Sequence, residues 1–259
     1  MYLSKVIVIN FILGYRLFQK QRMSEKVTTR LDQLWLWLEP LAFALVFWFL
    51  YKYRAINVES DYPYSLFIIS GILLWQCITD ALNVPMTDIG KFKDIGKQIE
   101  ISPFSIASYF LIKSVYYTFF KLVIIIAFVA IASEGDFIDF IVFFVLSVLI
   151  VTLITCIGML LAPYNLLMND VQKLINMLLR PLMFLSGVLF PIPQDTMLET
   201  LNAYNPFYIF IENSRSILFQ TTSSEVFTST IMMILVTLPF AIFGYVTFVR
   251  GFKIAIESH

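Results

Sequence analysis

Charge is scarce in this chain: only 14% of its 259 residues are Asp, Glu, Lys or Arg, against about 25% in a typical soluble domain. Apolar residues make up 59% and the mean hydropathy is +0.81, more apolar surface than a water-soluble core absorbs. Lys plus Arg and Asp plus Glu each number 18, so no global field draws the chain to nucleic acid or to an acidic substrate. Histidine is nearly absent, and the single copy, His259, ends the sequence, where catalysis is not expected. The two cysteines, Cys77 and Cys156, lie in separate apolar segments with no Cys or His nearby to complete a metal-ligand spacing. They are expected as packing residues, and no metal site is expected. A repeat of about 20 to 50 residues is also missing, which leaves one membrane domain over 1–259.

What is present is a series of apolar segments. The run VIVINFIL, Val6 to Leu13, falls short of the roughly 20 residues a spanning helix needs and is followed, not preceded, by basic residues, unlike a signal peptide. Residues 1–30 therefore read as an amphipathic helix on the membrane face, with Arg16, Lys20 and Arg22 towards water and headgroups. Six segments of spanning length follow, at about 34–53, 63–87, 104–132, 137–162, 172–190 and 226–249. The fold class is then all-α integral membrane, with both termini on one side. That side collects Lys5, Arg16, Lys20, Arg22, Lys26, Arg30, Lys91, Lys93, Lys97, Lys173, Arg250 and Lys253, against Lys52, Arg54 and Arg215 opposite. The excess of Lys and Arg makes it cytoplasmic.

Trp35, Trp37, Tyr51, Tyr53, Tyr62 and Tyr64 fall where interfacial aromatic belts are expected. Asp61 and Pro63 open the second span, Glu134-Gly135-Asp136 separates the third from the fourth, and Ala162-Pro163 ends the fourth.

Two segments depart from this regular pattern. Thr87 to Phe104, TDIGKFKDIGKQIEISPF, reads as a short charged cytoplasmic helix over 87–101, stopping before Ser102 as N-cap and Pro103 as first position of the third span. Its Gly90, Gly96 and Lys97 resemble a phosphate-binding loop only faintly. The glycine spacing is wrong, Gln98 replaces the magnesium-binding hydroxyl, and a membrane helix precedes it where a strand is required. The second segment covers 191–220. After Pro191 and Pro193, the box Thr196-Met-Leu-Glu199 opens a short helix, and Asn205-Pro206 stops it and caps another. In that second helix Phe207, Phe210, Ile211, Ser214, Ile217 and Leu218 share a face, and Glu212 and Arg215 are spaced to pair. Neither helix is long enough to cross a bilayer, so a re-entrant hairpin or pore cap is expected.

Ionisable residues within spans cost roughly 2.5 to 3.5 kcal/mol each at a helix centre; the candidates are Glu39, Asp80, Lys113, Lys121 and Arg180. Glu39 and Arg180 precede prolines and read as structural. On the third span Tyr109, Lys113, Tyr116, Tyr117, Phe120 and Lys121 recur at spacings of three and four. Amines and rings on one face suit a glycan or an acidic headgroup, with snorkelling of Lys113 as the plainer alternative and a paired or pore role for the deeper Lys121. The candidate substrate path is thus Tyr109, Lys113, Tyr116, Tyr117 and Lys121. An ion-coupled secondary transporter lacks the expected internal repeat, and a membrane transferase lacks a cluster of acids or a base.

The order of these parts resembles the type-2 ABC exporter permeases, and within them the permeases for capsular polysaccharide and O-antigen. The strings that carry the resemblance are LWLWLEPLAF (Leu34 to Phe43), NDVQKLINMLLRPLMFLSGVLFPI (Asn169 to Ile192) and NPFYIFIENSR (Asn205 to Arg215). SEKVTTRLDQ, Ser24 to Gln33, keeps Arg30 but lacks the glycine often found ahead of the first span in that family. The resemblance implies a non-enzymatic transport subunit in a bacterial inner membrane, paired with a second copy of itself and with a cytoplasmic ATP-binding cassette subunit that carries ATP and Mg. It implies that Lys91, Lys93, Asp94 and Lys97 lie on the coupling helix that seats in that ATPase. Pro191, Pro193, Asn205, Pro206, Glu212 and Arg215 would form the outer gate. Cargo would be a lipid-linked surface polysaccharide, capsule ahead of O-antigen, teichoic acid, a drug or a lipid, and periplasmic and outer-membrane export components are candidate further partners.

Overall fold

The computed structural model describes residues 2–28, 64–98, 101–132, 136–168, 170–193, 195–219 and 224–257, and scattered positions between Trp35 and Leu50, with backbone alone at 2–7, 25–28, 93–98 and 253–257. Outside the described residues lie Glu39, Lys52, Arg54, Tyr51, Tyr53, Asp61, Tyr62, Pro63, Glu134, Gly135 and His259, and the side chains of Lys93, Asp94 and Lys97. Among the described residues the secondary structure is helical throughout, with no strand. The elements are α1 (Tyr2–Thr28), α2 (Tyr64–Gln98), α3 (Pro103–Ala132), α4 (Phe137–Leu167), α5 (Asp170–Leu185), α6 (Met197–Asn202), α7 (Pro206–Leu218) and α8 (Ser224–Glu257). The described positions from Trp35 to Leu50 are helical as well.

Among the described residues four helices, α2, α3, α4 and α8, are long and apolar enough to cross a membrane, and the chain is an integral membrane protein. They stand side by side with α4 at the centre, between α2 and α8, and with α3 against α2 and α4. Two apolar clusters hold them. One joins Leu73, Leu74 and Ile78 of α2 to Leu122, Val151, Phe210 and Leu218. The other gathers Phe92, Phe110, Phe248 and Phe252 at the Gln98 end of α2, together with Phe18 of α1. Large side chains such as Phe137, Val145, Leu235 and Phe240 remain exposed on the outer faces of α4 and α8, as a lipid-facing surface requires.

Helix starts agree with the local sequence. Pro103 opens α3, with the N–H groups of Ser105 and Ile106 donating to the Ser102 carbonyl. Thr196 caps α6 and Asn205 caps α7 through their side chains. Several expectations need correction. Pro163 does not end the fourth span: α4 runs on to Leu167 with Pro163 inside it. A proline removes one helix donor without stopping a buried helix whose neighbours satisfy the freed groups. The charged segment from Thr87 is not a separate helix but the continuation of α2, unbroken through Pro85 and Gly90 to Gln98. The expected fifth span is the 16-residue α5, followed by turns and bends from Ser186 to Phe190, which gives about 24 Å of helix at 1.5 Å per residue. Tyr64 is no belt residue: it is 2% exposed, and its hydroxyl donates to the Leu189 carbonyl at 3.2 Å.

α1 lies along the first turns of α3, where Asn10 and Ser105 side chains meet at 3.0 Å. Arg16 and Lys20 are exposed as expected. Arg22 instead turns inward, its guanidinium 4.6 Å from the Tyr116 ring centre.

Candidate functional site

A cavity of about 530 Å³ opens between α2 and α3, with Pro40 on its wall. Its charged groups come from matched positions on two antiparallel helices. Asp80 and Asp88 are eight residues apart on α2, and Lys113 and Lys121 are eight apart on α3, so one carboxylate meets one amine at two levels about 12 Å apart. At the first level Asp88 accepts from Lys113 at 2.6 Å and from the Tyr109 hydroxyl at 2.7 Å, and pairs with Lys91 at 2.6 Å. Three donors on one carboxylate offset its desolvation: the Asp88 and Lys113 side chains are 2% and 7% exposed. At the second level Lys121 pairs with Asp80, whose side chain keeps 40% of its surface exposed. Gln76, Thr79, Asn83 and Thr87 supply amides and hydroxyls to the same wall.

Of the expected path residues, Lys113, Tyr117 and Lys121 line this cavity, as does Lys91 from the expected coupling set. Tyr109 and Tyr116 do not. Tyr109 has no exposed surface and holds Asp88 from the core side, and Tyr116 stacks edge-on with Phe18 and Phe120 beneath Arg22. Asp88 escaped the sequence reading because it falls one residue past the span expected to end at 87. The repeated eight-residue spacing of Asp80/Asp88 and Lys113/Lys121 is the signal that identifies it. Among the described residues no group of His, Cys, Asp and Glu could hold a metal ion.

At the other end of α2 lies Arg215, which meets Glu212 of the expected gate set. This arginine is 0% exposed. Its Nη1 donates to the Gly187 carbonyl at 2.9 Å and to Glu212 at 3.2 Å, and its Nη2 donates to the carbonyls of Phe67 at 2.9 Å and Val188 at 3.0 Å. The guanidinium also lies 3.6 Å from the Phe67 ring centre. One planar fork therefore ties α7, the turn after α5 and the first turns of α2. Gly187 has a φ of +61°, which turns the chain so that two successive carbonyls reach the fork. Asn205 donates to Ser186 and Asn202, both at 3.0 Å, and its side-chain Oδ1 accepts from the Phe207 N–H at 3.0 Å. Pro206 takes the first helical position of α7. Pro191 is half-buried and Pro193 exposed, its carbonyl accepting from Thr196 at 2.8 Å. The expected pairing of Glu212 with Arg215 is present, but most of the partners of Arg215 are backbone carbonyls far away in sequence.

A third polar cluster links α2 to α4 and α5. Asn83 donates to Asn176 at 2.9 Å, and Gln172 donates to Asn83 at 3.2 Å and to Thr87 at 2.7 Å. Asn165 donates to the Met86 carbonyl at 3.0 Å and accepts from the Gln172 N–H at 2.9 Å.

Comparison with known proteins gives a family. No curated protein matches the chain. The family model described as ABC-2 type transporter matches residues 13–219, a stretch that takes in α1 from Leu13, the charged cavity, the Arg215 fork and the amide cluster. The chain belongs to the ABC-2 type transporter family and is the transmembrane subunit of such a transporter.

Proposed function

We propose that this subunit is one half of a dimeric, ATP-driven exporter that carries a lipid-linked surface polysaccharide, capsule in the first instance, out of the cytoplasm of a bacterium. It resides in the inner membrane with both termini cytoplasmic, and ATP and Mg are bound by a separate ATPase subunit. The observation that carries the reading is α2. Its 35 residues form a rod of about 52 Å. One end bears Lys91, Lys93, Asp94 and Lys97, and the other is gripped by Arg215. A motor pressing on the charged end thus acts on the 191–220 hairpin without an intervening flexible loop. Between the two ends, the cavity wall offers the Tyr117 ring, the more exposed Asp80–Lys121 pair and neighbouring amides and hydroxyls to a glycan.

A second copy is supported by α5, which exposes Leu174, Met177, Leu178 and Arg180 on its outer surface. Arg180 lies ten residues into the helix, about 15 Å along it, where an arginine facing lipid costs several kcal/mol. A facing protomer would relieve that. Cargo of another kind, such as O-antigen, teichoic acid, a drug or a lipid, would use the same lever.

The test is a pair of substitutions at Gly90, which is helical and has open space where a side chain would go. Gly90→Ala should leave export intact, whereas Gly90→Pro should break the rod and abolish surface polysaccharide while the ATPase still copurifies. Normal export by Gly90→Pro would refute the lever.

A further inference from the structure

The rod has one built-in weak point. Pro85 sits inside α2, where it has no N–H to give to the Ala81 carbonyl and its ring crowds that carbonyl. Left alone, such a site bends. The groups around it come from two other helices and bracket the proline on both sides. Before it, Asn83 is held by Asn176 and Gln172; after it, the Met86 carbonyl is held by Asn165, and Thr87 by Gln172. On the remaining side, α4 presents Gly158, where an added Cβ would lie 2.7 Å from the Leu82 oxygen and 3.1 Å from the Ala81 oxygen. The α4 backbone therefore packs directly against the Ala81 carbonyl, which the proline leaves without its ordinary donor, and against the Leu82 carbonyl beside it.

We propose that Asn83, Asn165, Gln172 and Asn176 are positioning residues that splint α2 across Pro85. With the splint closed, α2 acts as one rod and α5 is fixed to it; with the splint open, α2 hinges at Pro85 and the charged end moves alone. The same amides thus set whether displacement of the Lys91 to Gln98 segment reaches α5 and the Arg215 fork. That use of the splint rests on the transporter reading, but its physical core does not.

Two features set this cluster apart from ordinary helix packing. Its side-chain amides concentrate within three residues of the proline, and Gln172 spans it alone, bonding to Asn83 and Thr87 on opposite sides. Gln172 also belongs to the first turn of α5, and its own N–H is held by Asn165. Displacing one amide therefore loosens α2, α4 and α5 together.

Backbone hydrogen exchange on the purified protein in lipid nanodiscs tests this without an ATPase or a cargo. In Gln172→Leu, which removes both bonds and keeps the side chain's bulk, exchange at residues 82–90 should quicken about tenfold, the equivalent of one net hydrogen bond. Exchange in α3 and α8 should stay unchanged. Pro85→Ala in the same background should restore protection, because a helix with its own donor needs no splint. Unchanged exchange in Gln172→Leu would overturn the proposal, and so would acceleration spread evenly over all helices or a failure of Pro85→Ala to restore protection. Because neither motor nor cargo enters the measurement, such a result would leave the transporter reading standing.

Discussion

Replacing Arg215 by Met keeps the length and apolar bulk of the side chain and removes the guanidinium. The carbonyls of Gly187 and Val188 lie in a turn outside any helix, and each loses a charged donor in a buried site, at about 1 to 3 kcal/mol apiece. The Phe67 carbonyl loses less, because the Ser70 hydroxyl also reaches it at 3.1 Å. Glu212, with a third of its side chain exposed, is left to water and contributes little. Loss of the ring contact with Phe67 adds about 1 kcal/mol. The sum is a destabilisation of about 5 kcal/mol, at the upper end of the range measured when one partner of a buried charged network is removed. Arg215→Lys should fall about halfway, since an ammonium meets one or two of these acceptors but not the fork. Unfolding of the purified protein in mixed micelles, followed by tryptophan fluorescence over a detergent titration, reads both values. If Arg215→Met came within about 1 kcal/mol of the unmodified protein, a range typical of surface changes, the fork would not be what joins α7 and the turn after α5 to α2.

Three further outcomes follow from neighbouring geometry. Gly71→Ala places a Cβ 2.2 Å from Arg215 Nη2 and 2.4 Å from the Val188 oxygen; it should mimic Arg215→Met in the same titration, and normal stability would contradict the packing at this point. Asp88→Asn leaves Lys113 and Lys91 facing an amide in a site 2% exposed, so a loss of about 3 kcal/mol is expected, partly recovered when Lys113→Met is added; two additive losses would refute the pairing. Asp80→Asn, at the more exposed level, should lose less than half as much, and an equal loss would contradict the difference in burial.

How far the sequence foretold this arrangement depended on distance along the chain. The Asn205-Pro206 cap, the Pro103 start and the Glu212–Arg215 pair are decided within four residues, and each formed as read. The Thr196 box formed by half: Thr196 accepts from the Glu199 N–H, but the Glu199 carboxylate accepts from the Asp195 N–H instead of that of Thr196. The apolar stripe of α7 was legible in part: Phe210, Ile211, Ser214, Ile217 and Leu218 are buried, but Phe207 is half-buried, and Asn213, Arg215 and Ser216 off the stripe are buried too. Two local signals misled. Pro163 read as a stop because its missing donor is a local fact, whereas the neighbours that carry α4 through it are not. Thr87 to Gln98 read as separate because its polarity changes abruptly, yet polarity marks where a helix leaves lipid, not where it ends. The partners of Arg215 at Phe67 and Val188, and those of Lys113 at Asp88, depend on which helices become neighbours. No periodicity within one segment reports that, although the equal spacing of acids on α2 and lysines on α3 offered a hint.

The central claim is that α2 is a single lever between a separate motor and the Arg215 hairpin. The most direct measurement is crosslinking from cysteines placed singly at Lys93 and Lys97 in the assembled transporter, with ATP hydrolysis and the movement of a spin label beside Arg215 followed on the same preparation. The account predicts crosslinks to an ATP-binding subunit and a nucleotide-dependent shift at the label that Gly90→Pro abolishes. It would be contradicted if the purified chain moved cargo with no ATPase present, or if the label shifted equally with α2 broken.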